Sequence, residues 1–406
     1  MKVLFTSPIL EQPAAGGPQL RIQTSIQALS RVCELHLATS AEQAVDPKGA
    51  TRVFFEPLAK GFLLLPGAGY KLPSGRILRR LHGMIRTWYD RKAIRDAEAL
   101  VAYVDRHAID VLWCGYGNIS HAMMRKVRAL RPDLKIVCDT DSVWSRYVLR
   151  ELPYIKGRRK LQVWMKGRRK IAEERDWVRF CNVTTAVSEV DAEYYRSLAP
   201  DPSRIRLFSN VIDLASYPKS APAPAGFRKP CLYLAGSFGG PHSPMSVAAR
   251  WMLEDIFPKV RERVPGVHFY VVGRNSDAEF GRFAGPDVTV TGRLDSVLPY
   301  LLNADVALVP LQFESGTRFK ILEAGACRIP LVSTTLGAEG IPVKDGEHIL
   351  LADTSEEFAD AIVRLLNDPE YARKLAENCR KLVEKHYSVE SLSGEALQIL
   401  GTLNND

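Results

Sequence analysis

The sequence predicts an α/β protein of two doubly wound, Rossmann-like parallel-sheet domains facing each other across a cleft. Three observations carry this. Short β-branched runs alternate with helical patterns along the chain. A proline-rich stretch from Tyr217 to Gly226 interrupts the alternation, which then restarts. The chain has 406 residues, 46% of them hydrophobic and 25% charged, so each half is long enough to bury its own core. The same figures exclude disordered, collagenous and coiled-coil classes.

The elements follow in order. In the first half the predicted strands are 3–5, 35–37, 53–55, 111–113, 136–138, 183–185 and 205–207. Helical patterns over 19–31, 77–107, 118–130, 144–178 and 188–197 separate most of them. After the linker, strands are predicted at 231–235, 268–272, 288–290, 306–309, 330–333 and 349–351. Helices are predicted near 243–262, 294–302, 316–326, 355–366 and 370–385. The domain assignment is 1–215 for an acceptor-side unit and 216–387 for a donor-side unit. A last helix, 388–402, is expected to return to the first domain.

The seven cysteines lie at 33, 114, 138, 181, 231, 327 and 379, with no pair at metal-binding spacing. They read as small buried residues in a reducing compartment. The N-terminal apolar run is too short for a signal peptide, and no window approaches bilayer-spanning length. A cytoplasmic location is the expectation. The net charge of +9 favours contact with something anionic on electrostatic grounds.

In doubly wound folds, ligands sit outside the carboxyl ends of the strands, against helix N-termini. Three loops there carry suitable chemistry. Gly16-Gly17 stands between the first strand and first helix, where backbone can approach a ligand; an ordinary turn is the alternative. Gly236-Ser237-Phe238-Gly239-Gly240 opens the second domain in the same way. Neither is GxGxxG. The most informative stretch runs from Pro310 to Ala326. Its turn Ser315-Gly316-Thr317 is expected to open a helix bearing Arg318 and Lys320, with Glu323 farther along. Amides and two cations there suit a diphosphate, and a carboxylate suits the vicinal hydroxyls of a ribose. A capped structural helix with surface charges is the competing reading.

Here the sequence resembles the GT-B glycosyltransferases, specifically their large retaining family 4. The likeness runs from Leu232 through Val271-Val272-Gly273, Val290-Thr291-Gly292, the 304–334 segment, Ala338-Glu339-Gly340-Ile341 and Asp345-Gly346-Glu347. The N-terminal half matches more loosely. The resemblance implies transfer of a sugar from a nucleotide diphosphate sugar with no obligatory metal or other cofactor. Glu323 corresponds to the ribose-binding second glutamate of the family's E-x7-E motif, while the first falls on Ser315. The usual Arg and Lys after the domain's opening strand are absent from 237–247. Arg318 and Lys320 are their expected substitutes, alongside donor contacts from Gly17, Gly236, Ser237, Gly273, Arg274, Ser315, Gly316 and Thr317.

Asp139-Thr140-Asp141 ends a strand of the first domain. Its DxD spacing allows a divalent-metal reading. The favoured reading has Asp141 acting at an acceptor hydroxyl or donor hexose, and Asp139 with Gly16 on the acceptor side. A helix N-cap is the plain alternative. The catalytic candidates are therefore Asp141, Arg318 and Lys320. His242, His268 and His348 stand singly, without a second ligand at metal spacing.

Residues 156–170 hold eight cations and no acid, with Leu161, Trp164 and Met165 on one helical face. A second basic stretch covers 71–92. Both fit an anionic membrane surface on the inner face of the cell membrane, or else a solvated or internally packed helix; no nucleic-acid motif accompanies them. The functional expectation is a retaining hexosyltransferase acting on a lipid-linked or polysaccharide acceptor. The alternatives are an inactive nucleotide-sugar-binding scaffold and a GT-B nucleotide-sugar epimerase.

Overall fold

The computed structural model describes residues 1–14, 16–67 and 82–404, with the side chains of 82–91 outside the description. Lys71, Arg76, Arg79 and Arg80 of the second basic stretch therefore lie outside the described residues, as do the side chains of Arg86 and Arg91. Two compact units divide the chain. The first comprises Met1–Ser145, Arg168–Asn210 and Val389–Asp406; the second comprises Arg146–Gly167 and Val211–Ser388. The sequence reading keeps 146–167 in the first unit and puts the boundary after 215. In the structure that segment packs with the second unit, and the boundary falls after Asn210.

Among the described residues of the first unit, seven strands form a parallel sheet: β1 (Lys2–Ser7), β2 (Glu34–Thr39), β3 (Gly61–Leu64), β4 (Val111–Gly115), β5 (Lys135–Asp139), β6 (Val183–Ala186) and β7 (Ile205–Leu207). Their order is β3-β2-β1-β4-β5-β6-β7. The chain winds outward from β1 in one direction, then returns to start again at β4. Helices cover both faces, so β4 is buried at every residue. The helix Val389–Asn404 belongs to this unit and packs on the helix Gly17–Ser30, with Leu392, Ala396, Ile399 and Leu403 buried. Ser393 Oγ donates to Ala28 O at 3.3 Å, and Glu395 accepts from the amide and hydroxyl of Ser209 at 2.7 and 2.8 Å.

The second unit's described strands are β8 (Cys231–Ala235), β9 (His268–Val272), β10 (Val288–Val290), β11 (Val306–Val309), β12 (Leu331–Ser333) and β13 (Leu350–Leu351), in the order β10-β9-β8-β11-β12-β13. All pairs are parallel.

Two local expectations fail for physical reasons, and a third holds with an irregularity. The run Val53-Phe54-Phe55 is helical (Ala50–Phe55) because its buried residues, Thr51 and Phe55, stand four apart, while Val53 faces solvent. The strand instead starts at Gly61, where a Cβ would come within 2.2 Å of the Tyr103 hydroxyl. The long 144–178 helix is broken into Trp144–Arg150, a short turn at Leu152–Tyr154 and Arg158–Phe180. Pro153 and the left-handed Gly157 (φ +63°) interrupt it. The 243–262 helix contains a π-helical stretch, Met252–Ile256. Pro258 follows it and has no N–H to return to residue 254.

Candidate active site

The second sheet changes winding direction between β8 and β11, which places the loops after those strands side by side at one edge. That is where doubly wound folds bind ligands. After β8, Gly236 and Gly273 are held together by their backbones. Gly236 N donates to Val272 O at 2.9 Å, and a Cβ on Gly273 (φ +120°) would lie 2.1 Å from Gly236 O. Gly273 therefore admits no side chain, whereas a Cβ on Gly236 would press on the movable end of Met245 (Cε at 2.7 Å). Phe238 N then donates to Arg274 O at 2.9 Å, while Ser237 and the Arg274 side chain are exposed. Ser243 caps the following helix by accepting from Ser246 N at 3.2 Å. His242 is exposed; His268 and His348 make local hydrogen bonds to Thr289 Oγ1 (2.8 Å) and Lys344 N (3.1 Å).

After β11 the chain buries Ser315, Thr317 and Arg318. The helix starts at Phe319 and ends at Ala326, so Arg318 is its N-cap residue rather than a first-turn residue. No side chain caps that turn among the described residues. The Arg318 guanidinium folds back to donate to Gly316 O, so part of its charge stiffens the loop it belongs to. Ser315 Oγ is buried and has no hydrogen-bond partner among the described residues. Lys320 is half-buried. It makes no hydrogen bond or ion pair among the described residues, and burial lowers its ammonium from the ordinary range against the pull of Glu323 and Glu314.

One turn on, burial raises the Glu323 carboxyl above its usual range, with Lys320 and a hydrogen bond from Tyr217 opposing the shift. Tyr217 Oη donates to Glu323 Oε1 at 3.1 Å. On the other side of the loop, Arg150 makes a bidentate pair with Glu339 (2.6 and 2.8 Å) and donates to Glu314 O at 2.6 Å. Burial pushes the Glu339 carboxyl up, but Arg150 and the more distant Arg318 more than offset it, leaving it below its usual range. The second unit thus brings Gly236, Ser237, Gly273, Arg274, Ser315, Gly316, Thr317, Arg318, Lys320 and Glu323 to one sheet edge. It is a half-buried, cation-bearing loop with a carboxylate one turn away.

Gly16, Gly17, Asp139 and Asp141 belong to the first unit. The glycines lead into the helix Gly17–Ser30 without a side-chain cap. Asp139 is not available to an acceptor: it is fully buried and paired with the equally buried Arg21. Thr185 Oγ1 donates to it at 2.8 Å. Arg21 also reaches Asn210 Oδ1 (2.7 Å) and Thr140 O (3.0 Å). A charge so far from water requires a partner, and Asp139 is that partner. The DxD metal reading fails with it, and no cluster of metal-ligating side chains occurs among the described residues.

Asp141 is half-buried. Its Oδ1 accepts from Asn118 Nδ2 at 2.6 Å and from Trp144 Nε1 at 2.9 Å. Burial raises its carboxyl; Trp144, Arg21 and Asn118 oppose. Tyr116, left-handed at φ +57°, adjoins the same carboxylate, which pushes its already buried phenol further up. The sequence reading singles out none of Asn118, Tyr116, Arg21 and Tyr217 as a site residue. The loop Gly115-Tyr116-Gly117-Asn118 offered a signal, two glycines around a strand end; Arg21 and Tyr217 offered none.

Residues 235–368 match the family model of glycosyl transferases group 1. Among curated relatives, the chain is 28% identical over 148 residues to a lipopolysaccharide core biosynthesis glycosyltransferase, LpsE, of Rhizobium meliloti (strain 1021). That match covers 34% of this chain and 43% of the relative, so the chain spans less than half the length of the curated relatives it matches. Among solved structures, sucrose-phosphate synthase from Thermosynechococcus elongatus superposes with a TM-score of 0.71 at 18% identity, covering 100% of this chain and 99% of that one. HepE from Anabaena, solved with UDP-glucose, gives 0.65 at 14% identity with both chains covered in full. The fold is that of the GT-B glycosyltransferases.

Proposed function

We propose that this GT-B chain is a glycosyltransferase that takes a hexose from a nucleotide diphosphate sugar and passes it to a lipid-linked or polysaccharide acceptor, with retention and without a metal. The observation that carries the donor side is the loop after β11. It places Arg318 at the start of a helix, Lys320 without an ion-pair partner among the described residues, and Glu323 one turn later. An unpaired ammonium at a helix N-terminus is unfavourable by itself and becomes favourable when a diphosphate settles there. The family match over 235–368 and the UDP-glucose bound to a structural neighbour support the same ligand class.

In this reading Glu323 accepts the ribose hydroxyls, and Tyr217 fixes the carboxylate's direction. Arg318, Lys320 and the backbone of 315–317 meet the charge that grows on the departing diphosphate. The sugar C1–O bond to phosphate breaks as the acceptor oxygen bonds to C1 on the same face, and the acceptor proton passes to the leaving phosphate oxygen. No protein base is then required. Asp141 is assigned to an acceptor hydroxyl through its carboxylate, which Asn118 and Trp144 orient. The lipopolysaccharide enzyme among the relatives supports a cell-envelope glycan as acceptor.

A second reading, a donor-binding scaffold without turnover, is favoured by Ser315 standing where the family carries its first glutamate. Thermal-shift screening with UDP-, GDP- and dTDP-sugars, followed by product assay with glycan and lipid-linked acceptors, separates the two. Transfer to acceptor supports the enzyme; binding with the donor left intact supports the scaffold.

A further inference from the structure

The first half of the helix Arg158–Phe180 is almost wholly uncovered. Only Gly167 is buried, against Leu149, and Val163 and Lys170 are partly covered. Leu161, Trp164 and Met165 are 59%, 49% and 51% exposed, although residues of this kind ordinarily hide. Their spacing of three and four puts them on one stripe, and Arg168 falls on the same stripe one turn later. Lys160 flanks the stripe on one side, Arg158 and Arg169 on the other.

Charge completes the pattern. Of the eight cations in 156–170, Arg159 pairs with Glu151, and Arg169 and Lys170 with Glu173. Lys156, Arg158, Lys160, Lys166 and Arg168 make no ion pair or side-chain hydrogen bond among the described residues. An aqueous face would not need the apolar stripe. A nucleic-acid backbone would take the cations but leave Leu161, Trp164 and Met165 wet. A surface that is anionic at its rim and apolar just beneath satisfies both sets, because lysine and arginine stems can lie along apolar surface while their heads stay among phosphates.

We propose that this segment docks in the plane of an anionic phospholipid surface, with Leu161, Trp164 and Met165 entering the headgroup boundary and the unpaired cations on and beside that stripe meeting lipid phosphates. The inference is independent of the donor-site reading, and its test uses no activity. The full-length protein is sedimented with vesicles of phosphatidylcholine alone and of equal parts phosphatidylcholine and phosphatidylglycerol. Binding to the mixed vesicles that falls with added salt is the expected result.

Each cation near an anionic surface is worth about fivefold in partitioning, so changing Lys156, Arg158, Lys160, Lys166 and Arg168 to Gln should lower binding at least about tenfold. Replacing Leu161, Trp164 and Met165 by Ser should lower it comparably with the charge intact. Both sets of side chains are exposed, so circular dichroism and melting temperature should stay at wild-type values. Failure of the wild type to sediment with anionic vesicles, or unchanged sedimentation of both folded variants, would overturn the proposal. Equal binding to pure phosphatidylcholine would overturn it as well.

Discussion

Tyr217 donates a 3.1 Å hydrogen bond to Glu323, tying the first residue of the proline-rich segment to the helix that follows β11. The bond points one oxygen of a half-buried carboxylate and leaves the other for a ligand. Tyr217→Phe removes the hydroxyl and keeps the ring. A hydrogen bond to a charged acceptor is worth roughly 1.5 kcal/mol or more, so donor KM should rise about tenfold. If Glu323 holds the ribose as proposed, alike in ground and transition states, kcat should stay near its wild-type value. Steady-state kinetics over a donor series measures both; an unchanged KM removes Tyr217 from the donor site.

The raised carboxyl of Glu323 gives donor binding a pH dependence with a definite sign. In the proposed site a ribose hydroxyl would donate to the ionised form. As pH falls through the raised value, Glu323 takes up a proton and affinity drops, beginning above the ordinary carboxylate range. Lys320→Ala removes a cation that favours ionisation, so the drop should move to higher pH. Glu323→Gln should weaken binding and flatten the acid limb. Nucleotide titrations at several pH values test this; an acid limb that survives in Glu323→Gln belongs to another group.

Arg21 and Asp139 form a buried ion pair in the first unit, and removing one partner strands the other. Arg21→Met should destabilise this unit by about 3–5 kcal/mol, read as a lower midpoint in chemical denaturation. Replacing both by apolar residues of similar volume should recover much of the loss. A single variant as stable as wild type would show that the pair is not integral to the core.

Gly273→Ala tests the close approach after β8. The new Cβ would meet Gly236 O at 2.1 Å on a backbone of φ +120°. Strain and overlap together predict a loss of about 2–4 kcal/mol. Donor affinity should fall with it, because the loop bearing Ser237 must shift. An alanine variant with wild-type melting temperature would mean that the loop relaxes freely.

The sheets were legible because parallel strands buried on both faces read as continuous apolar runs: Val111-Leu112-Trp113 and Val306-Ala307-Leu308-Val309 can be little else. The loop after β11 was legible because small residues, cations and a carboxylate share one short stretch. Arg21 was not. A charged residue at helical spacing reads as a solvent-facing position, and its partner Asp139 lies 118 residues away. The same distance effect misassigned Asp139, whose DxD context pointed to a ligand while its surroundings supplied an arginine. Tyr217 was hidden in a linker composition that carries no signal for a long-range hydrogen bond. The strand expected at 53–55 failed because β-propensity reflects fit to a half-buried surface, and Val53 has none.

The proposed diphosphate cradle after β11 is best tested with Lys320, whose ammonium has no hydrogen-bond or ion-pair partner to lose among the described residues. Isothermal titration would use the nucleoside diphosphate that most stabilises the wild type. Lys320→Ala should bind it about tenfold more weakly at unchanged melting temperature, and adding Arg318→Ala should bring the loss to about a hundredfold. Wild-type affinity in the folded double variant would contradict the account and remove the diphosphate from this loop.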